Sequence, residues 1–399
     1  MDYISKSYGR NDEVADIYRL FKARIDISMP GPRRLGKSFL LDRLVEAGAA
    51  QTDADSPNGW TAIRIEVAGC KSTQEFFRSV CTKINSQRSP TQNATGLLLQ
   101  RIGQAVNPRS EQNGPWYQPL TTLDHETYFE RLITTMHEDK HHRWALLIDE
   151  LPIFLKALHD QGEKGIQDAR NFMNNVSRLR VDYPNVRWLI TGSIGLEPLA
   201  RIGNYMGVLV KFQTYLLAPL SPEQAREFII DVAATGRLLY RTNITAQEAD
   251  AIIQAVGWRS AYYLEAVATK LAGQPSEDIR TAESVVEAAI EKLLHPSEMA
   301  TFGVWEEHLR KHYIEPERMI AFSILQTLAP HPQGVGIDTL LSSVRQPALT
   351  KASLRILLMR LDAEGFVHID NWESDNPKAA FRNVLLRRWW QRFTPKVST

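Results

Sequence analysis

Residues 31–38 read Gly31-Pro32-Arg33-Arg34-Leu35-Gly36-Lys37-Ser38, two glycines, a proline and three cations between apolar flanks. The stretch matches G-x-x-x-x-G-K-[ST] at every fixed position. Glycines let the backbone curl so that successive N–H groups point at phosphate oxygens, and a helix starting at the end of the loop brings its positive dipole end there. In such a loop Lys37 reaches the β- and γ-phosphates and the Ser38 hydroxyl ligates Mg²⁺. The flanks fit. Ala23–Met29 alternates Ile25, Ile27 and Met29 as a short strand does, and FLLDRLVEAG places Phe39, Leu40, Leu44 and Val45 on one helical face with Gly48 as its C-cap. Strand, loop and helix predict an α/β fold. Gly31, Pro32, Arg33, Arg34, Leu35, Gly36, Lys37, Ser38 and Phe39 are its candidate nucleotide-binding residues.

A site of this type needs a second strand that carries an acid to the metal. Trp144-Ala145-Leu146-Leu147-Ile148 is a buried apolar run that ends in Asp149-Glu150. Asp149 is the candidate Mg²⁺ ligand beside Ser38. Glu150, one residue further on, is the candidate general base toward the attacking water. A third strand, Val186–Thr191, runs into Gly192-Ser193, so Thr191 and Ser193 stand either as γ-phosphate sensors or in a simple Ser/Gly turn. Residues 165–179 predict a helix over one sheet face, and 215–220 (YLLAPL) read as the last strand.

The rest of the chain limits what such a site can belong to. With 399 residues, 43% hydrophobic and 23% charged, there is material for two or three domains. No apolar run reaches eighteen residues and the N-terminus is polar, so the expectation is a cytoplasmic protein with no membrane partner. Cys70 and Cys81, the two cysteines, are too few for a disulfide framework or a four-cysteine zinc site. Net charge is +1, but from Pro316 onward there are eleven Lys/Arg against seven Asp/Glu, with 36 against 39 before it. Any basic face belongs to the C-terminal part.

Taken together, Tyr8-Gly9-Arg10 with Glu13, GPRRLGKS, LLIDE, TGS and GWRSAYYLEAVA at 257–268 resemble the archaeal-type P-loop ATPases of the AAA+/STAND class. The likeness covers nearly the whole chain. One departure is Ala261, where the family usually has a proline. The resemblance implies a three-layer P-loop NTPase core with a parallel sheet, a small helical lid, ATP and Mg²⁺ as cofactors, and Tyr8, Gly9 and Arg10 around the adenine. Local chemistry agrees with a lid: Ser221-Pro222-Glu223-Gln224 and Thr245-Ala246-Gln247-Glu248 are capping boxes, with helices expected at 222–235, 246–256, 260–272 and 281–294. Arg259 is either a lid arginine reaching the γ-phosphate or a helix-end arginine. Arg201 is either a finger acting on a neighbouring subunit's nucleotide or a surface ion-pair partner.

Beyond the lid, MIAFSILQTLA, GIDTLLSSV and TKASLRILLMRLDAEGFV read as three helices, with Thr350 as N-cap of the third. FVHIDN and KAAFRNVLL read as a two-stranded wing. The order looks like a winged helix-turn-helix, with Lys351, Arg355 and Arg360 facing outward and Arg382, Arg387 and Arg388 extending the charge toward double-stranded DNA; RRWWQRF is alternatively a packing element against the lid. Residues 86–121 read as a surface insertion. His137, His141 and His142, and His308 with His312, have a spacing a metal could use, yet sit among charges typical of solvated helix ends.

The expected organisation is therefore a P-loop core at 1–218, a lid at 219–300, a linker at 301–317 and a winged helix at 318–399. The expected function is an ATP-hydrolysing AAA+/STAND-type switch acting with DNA or a separate effector protein as a homo-oligomer, in mobile-element handling or phage defence. The rival readings are a nucleotide-gated DNA-binding regulator with little hydrolysis and a small-molecule P-loop kinase.

Overall fold

Val186–Gly192 is buried at all seven positions, as a strand flanked on both sides and covered on both faces must be. The computed structural model describes residues 10–51, 59–86, 125–140, 142–234, 243–271, 281–344, 346 and 349–393. The chain divides into two units, one of Met1–Gly31 with Lys37–Leu217 and one of Pro32–Gly36 with Ala218–Thr399.

The described strands of the first unit are β1 (Ile27–Pro30), β2 (Trp60–Glu66), β3 (Arg143–Asp149), β4 (Val186–Gly192) and β5 (Gln213–Thr214). They form one sheet in the order β2-β3-β4-β1-β5, parallel throughout. Its helices are α1 (Asn11–Lys22), α2 (Lys37–Gln51), α3 (Thr73–Ser86), α4 (His125–Glu138), α5 (Leu151–His159), α6 (Glu163–Asp182), α7 (Glu197–Gly203) and α8 (Met206–Leu209). Strand side chains alternate between faces. Ile63, Ile65, Leu146, Ile148, Trp188 and Ile190 join a core with Phe76, Phe129, Phe154 and Phe172 from α3 to α6. Ala62, Arg64, Ala145, Leu147 and Leu189 belong to the alternate set, on the other face. This is the three-layer α/β P-loop fold that the sequence predicts, with β4 inserted between the strand that precedes the glycine loop and the strand that carries the acids.

Three local expectations in this unit are corrected. The first strand starts at Ile27, because 23–26 complete the end of α1: Arg24 takes a positive φ of 61° and the Ile25 N–H donates to the Leu20 carbonyl, a helix-terminating pattern. α2 does not end at Gly48 but continues to Gln51 and buries Leu40, Leu41, Leu44 and Gly48, while Phe39 and Val45 are only half-buried. Gly48 is there for space, since a Cβ would lie 2.7 Å from both the Trp60 carbonyl oxygen and the Tyr18 hydroxyl. Residues 215–220 are not a strand. The ladder stops at Tyr215, whose N–H donates to the Ser28 carbonyl, and Pro219 has no N–H to continue it.

In the second unit, α9 (Pro222–Ala234), α10 (Ala246–Val256), α11 (Ala261–Ala268) and α12 (Ala282–Leu293) are followed by α13 (Ala300–His312) and α14 (Glu317–Leu328). Then come β6 (Val335–Gly336), α15 (Ile337–Ser343), α16 (Lys351–Ala363), β7 (Val367–Asp370), β8 (Lys378–Phe381) and α17 (Val384–Phe393), the strands pairing antiparallel as β6-β8-β7. The two capping boxes form as read, Ser221 with Gln224 and Thr245 with Glu248, and the N-cap expected at Thr350 forms and completes a further box with Ser353. The segment expected as a linker holds α13, which buries Phe302, Trp305, His308, Leu309 and His312. The histidines thus lie in the interior, not on a solvated helix end, and His308 Nε2 is 2.8 Å from Glu364 Oε2. The second wing strand ends at Phe381. Asn383 Oδ1 accepts the N–H groups of Leu385 and Leu386 and starts α17, whose Trp389 and Trp390 are buried and whose Trp389 ring lies 6.2 Å from that of Phe302. RRWWQRF is thus a packing element: its tryptophans lie in the interior, Trp389 beside Phe302 of α13, and its Arg388 pairs with Glu287 and Glu291 of α12.

Candidate nucleotide site

The carboxyl ends of β1, β3 and β4 meet side by side. Pro30 pairs with Gly192, and Met29 with Thr191. Ligands of open parallel sheets gather at such ends. Gly31, in the first unit, donates its N–H to the Gly192 carbonyl oxygen at 3.2 Å. Lys37 opens α2, is 5% exposed, and donates from Nζ to the Gly31 carbonyl oxygen at 2.6 Å. A phosphate oxygen would be a stronger, charged acceptor for that ammonium than the carbonyl it meets here.

Asp149 is the hub. It is 1% exposed. Its Oδ2 accepts from Ser38 Oγ at 2.9 Å, from Arg64 Nη2 at 2.7 Å and from Arg64 Nε at 3.2 Å, while Oδ1 accepts from Thr191 Oγ1. Glu150 sits at φ 62°, ψ 37°, the left-handed region that a non-glycine residue occupies at a cost. The turn is held by the Glu150 N–H to Thr191 Oγ1 at 3.3 Å, and by Ser193 N and Oγ, both 2.9 Å from Glu150 Oε2. Thr191 and Ser193 are thus tied to the two acids and not left in a free turn. Gly192 between them allows α5 to approach, since a Cβ there would lie 2.3 Å from Pro152 Cγ.

Arg64 has no place in the sequence reading. It lies in the middle of β2, and Nη1 also grips both oxygens of Asp42 at 2.8 Å. Burial works against its charge, but the hydrogen bond to Asp42 and the nearby Asp149 outweigh it and raise its pKa. The visible signal was one cation between Ile63 and Ile65 in the stretch Trp60–Ile65, which carries no other charge.

Other expected residues fall elsewhere. Arg10 is buried and ion-paired with Glu13; Tyr8 and Gly9 lie outside the described residues, as do His141 and 87–121 of the expected insertion. Arg201 is exposed. Within the second unit, Arg34 takes φ 65° and donates to the Thr301 carbonyl, its guanidinium carbon 3.8 Å from the Tyr262 ring centroid. Ser260 Oγ donates to the Arg34 carbonyl oxygen. Pro32, Arg33 and Gly36 are half-buried and Leu35 is buried. Arg259 donates from Nε to the Leu220 carbonyl at 2.6 Å, and Leu220 N–H donates back to the Arg259 carbonyl, which staples the start of α9 to the turn after α10.

The outward face expected of α16 is corrected at Arg360. Its side chain is only 18% exposed. It binds Glu364 and Glu317 and lies 3.7 Å over the Tyr313 ring, because the buried carboxylate of Glu364 requires a cation. The remaining candidates also have partners inside the second unit: Lys351 with Asp338, Arg355 with the Ser374 carbonyl, Arg382 with Asp362, Arg387 with the Ala329 carbonyl and Arg388 with Glu287 and Glu291. The exposed residues of α16 are Ala352, Ser353, Ile356, Met359 and Ala363, of which all but Ser353 are apolar.

The fold and this cluster define the class: an α/β three-layer P-loop fold. No family model matches the sequence, and no curated protein matches it. Among solved structures the chain is similar to the Walker-type ATPase of Pyrococcus abyssi, at 15% identity over 96% of both chains with a TM-score of 0.62. It is also similar to the Aeropyrum pernix ORC2 protein (11% identity, 96% and 94% covered, TM-score 0.47) and to the Thermotoga maritima RuvB Holliday junction branch migration motor (12%, 93% and 91%, 0.36). The first likeness is one of fold; the other two are too distant to add weight. Among the described residues no helix is long and apolar enough to cross a membrane.

Proposed function

We propose that this chain binds ATP with Mg²⁺ at the ends of β1, β3 and β4, hydrolyses it, and works as an AAA+/STAND-type molecular switch. The carrying observation is the convergence of Ser38 on Asp149 Oδ2 at 2.9 Å with Glu150 pinned next to it by Ser193. A hydroxyl and a carboxylate oxygen are the hard donors that Mg²⁺ takes, so the residues present fit that ion. When bound, Mg²⁺ would neutralise charge developing on the phosphate oxygens. Lys37 would exchange the Gly31 carbonyl for phosphate oxygens, and Thr191 would keep Asp149 oriented. Glu150 would accept the proton of the attacking water, its Oε2 held by Ser193 so that the other oxygen faces the reaction.

The reading of the second unit is a helical lid followed by a winged helix. The exposed apolar stripe of α16, together with the internal partners of the six basic candidates, favours a protein effector over double-stranded DNA as what the switch acts on. Assembly into a homo-oligomer and a cytoplasmic location, with both cysteines free and buried, complete the proposal.

Nucleotide binding and steady-state turnover in two variants test it. Lys37→Ala is expected to weaken ATP binding at least a hundredfold, and Glu150→Gln to keep binding while turnover falls about a thousandfold. Unchanged ATP affinity in Lys37→Ala overturns the site.

A further inference from the structure

We infer that Arg64 sets the divalent-cation affinity of the nucleotide site by competing for Asp149, with Asp42 as its second seat. The inference rests on the proposed nucleotide reading and adds a residue to it. The acid that would hold Mg²⁺ offers its Oδ2 to Ser38, and the same oxygen receives two of the Arg64 nitrogens, at 2.7 and 3.2 Å. A dication drawn to Asp149 therefore meets a fixed positive charge at the oxygen it would use. In a site where Asp149 is 1% exposed, that repulsion is poorly screened.

The rest of the geometry makes the competition adjustable. Arg64 spans two carboxylates. Nη1 is bidentate to Asp42 at 2.8 Å, while Nη2 and Nε serve Asp149. Asp42 stands on α2, one turn after Ser38, and its side chain is 52% exposed against 2% for Asp149. A guanidinium that retreats from Asp149 keeps a full ion pair with Asp42 and moves toward solvent, so the exchange leaves no charge buried and alone. Asp42 thus weakens the hold of Arg64 on Asp149. A positioning residue of this kind would let the site discriminate nucleotide that arrives with its cation from nucleotide that arrives without it.

Two substitutions must move cation affinity in opposite directions. With the full-length protein and an equal amount of ADP, Mn²⁺ binding is followed by loss of the free-ion signal in electron paramagnetic resonance, and the thermal midpoint is read with and without MgCl₂. Arg64→Met is expected to tighten Mn²⁺ about tenfold and to gain more thermal stability from MgCl₂ than the wild type. Asp42→Asn is expected to weaken Mn²⁺ several-fold, because Arg64 then has only Asp149. Arg64→Lys, which keeps the charge, is expected to stay near the wild-type value.

A purely structural arginine would lower the thermal midpoint and leave the Mn²⁺ constant where it was; that result in folded Arg64→Met overturns the proposal. If Arg64→Met does not fold, Asp42→Asn decides: unchanged or tighter Mn²⁺ binding overturns it. Failure of the wild type to bind a fluorescent ADP analogue at all is a separate outcome. It removes the nucleotide reading, and this inference falls with it.

Discussion

At the scale of single residues, two adjacent carboxylates are kept in different surroundings. Asp149 is enclosed by donors on both oxygens, whereas Glu150 is held through one oxygen by Ser193. Thr191 serves both acids, accepting from the Glu150 N–H and donating to Asp149. Thr191→Val is expected to cost about 1–3 kcal/mol of stability by leaving a buried acceptor short of a donor, and to slow turnover more than it weakens nucleotide binding; chemical denaturation and single-turnover kinetics check the two halves. That Lys37, Ser38, Asp149 and Glu150 lie at one end of the sheet was legible, because a glycine loop between strand and helix and an acid pair at a strand end fix residue type at fixed spacing. Arg64 was not, since nothing in the local pattern of β2 says that its side chain shares a face with Asp149 two strand positions and 85 residues away.

At the scale of elements, ion pairs in the interior decide where helices and strands lock. In the second unit, Glu364 at the end of α16 meets His308, Tyr313 and Arg360, and Glu317 faces the same arginine. Burial pushes the Glu364 carboxyl up, but the hydrogen bond from His308 and the charges of His308 and Arg360 outweigh it and hold the pKa below the ordinary carboxylate value. A depressed folded pKa means that its contribution is complete above the unfolded value of about 4.3 and is lost as pH falls through the folded value. Glu364→Gln is therefore expected to flatten the acid limb of the stability profile measured by denaturant unfolding from pH 6 to 3. The opposite end of the first sheet has its own example. Asp26 accepts from Arg180 at 2.6 Å and from the Trp188 N–H at 2.9 Å. Removing the carboxylate in Asp26→Ala is expected to cost about 3–5 kcal/mol by leaving a buried guanidinium without its partner, readable as a lower denaturation midpoint.

At the scale of the whole molecule, a net charge of +1 gives no general field toward polyanions. Six phosphate contacts, through the α16 and α17 candidates and Arg382 between β8 and α17, would give a salt dependence of log K against log salt of about −5. Because each of these side chains already has an acceptor inside the second unit, duplex DNA binding by the full chain is expected to show a much shallower slope, and DNA is expected to leave turnover within about twofold. A steep slope would restore the DNA reading. The exposed Ile356 and Met359, at 68% and 53%, are the positions at which a charged substitution should instead impair capture of a protein effector while leaving basal turnover intact.

The sequence by itself determined the P-loop, the acid pair that ends β3 and the N-terminal caps of α9, α10 and α16. These follow from local spacing: glycines where the backbone must curl, hydroxyls where helix N–H groups need acceptors, apolar runs where strands are covered on both faces. Only the tertiary structure decided which charges are available. His308 and His312 look solvated along the chain and are interior in the fold, Arg360 is turned to buried Glu364, and Arg64 looks incidental and reaches the central acid. The free energy of a charge depends on what other elements bring within a few ångströms of it, and that information is not carried by the spacing of residues along one element.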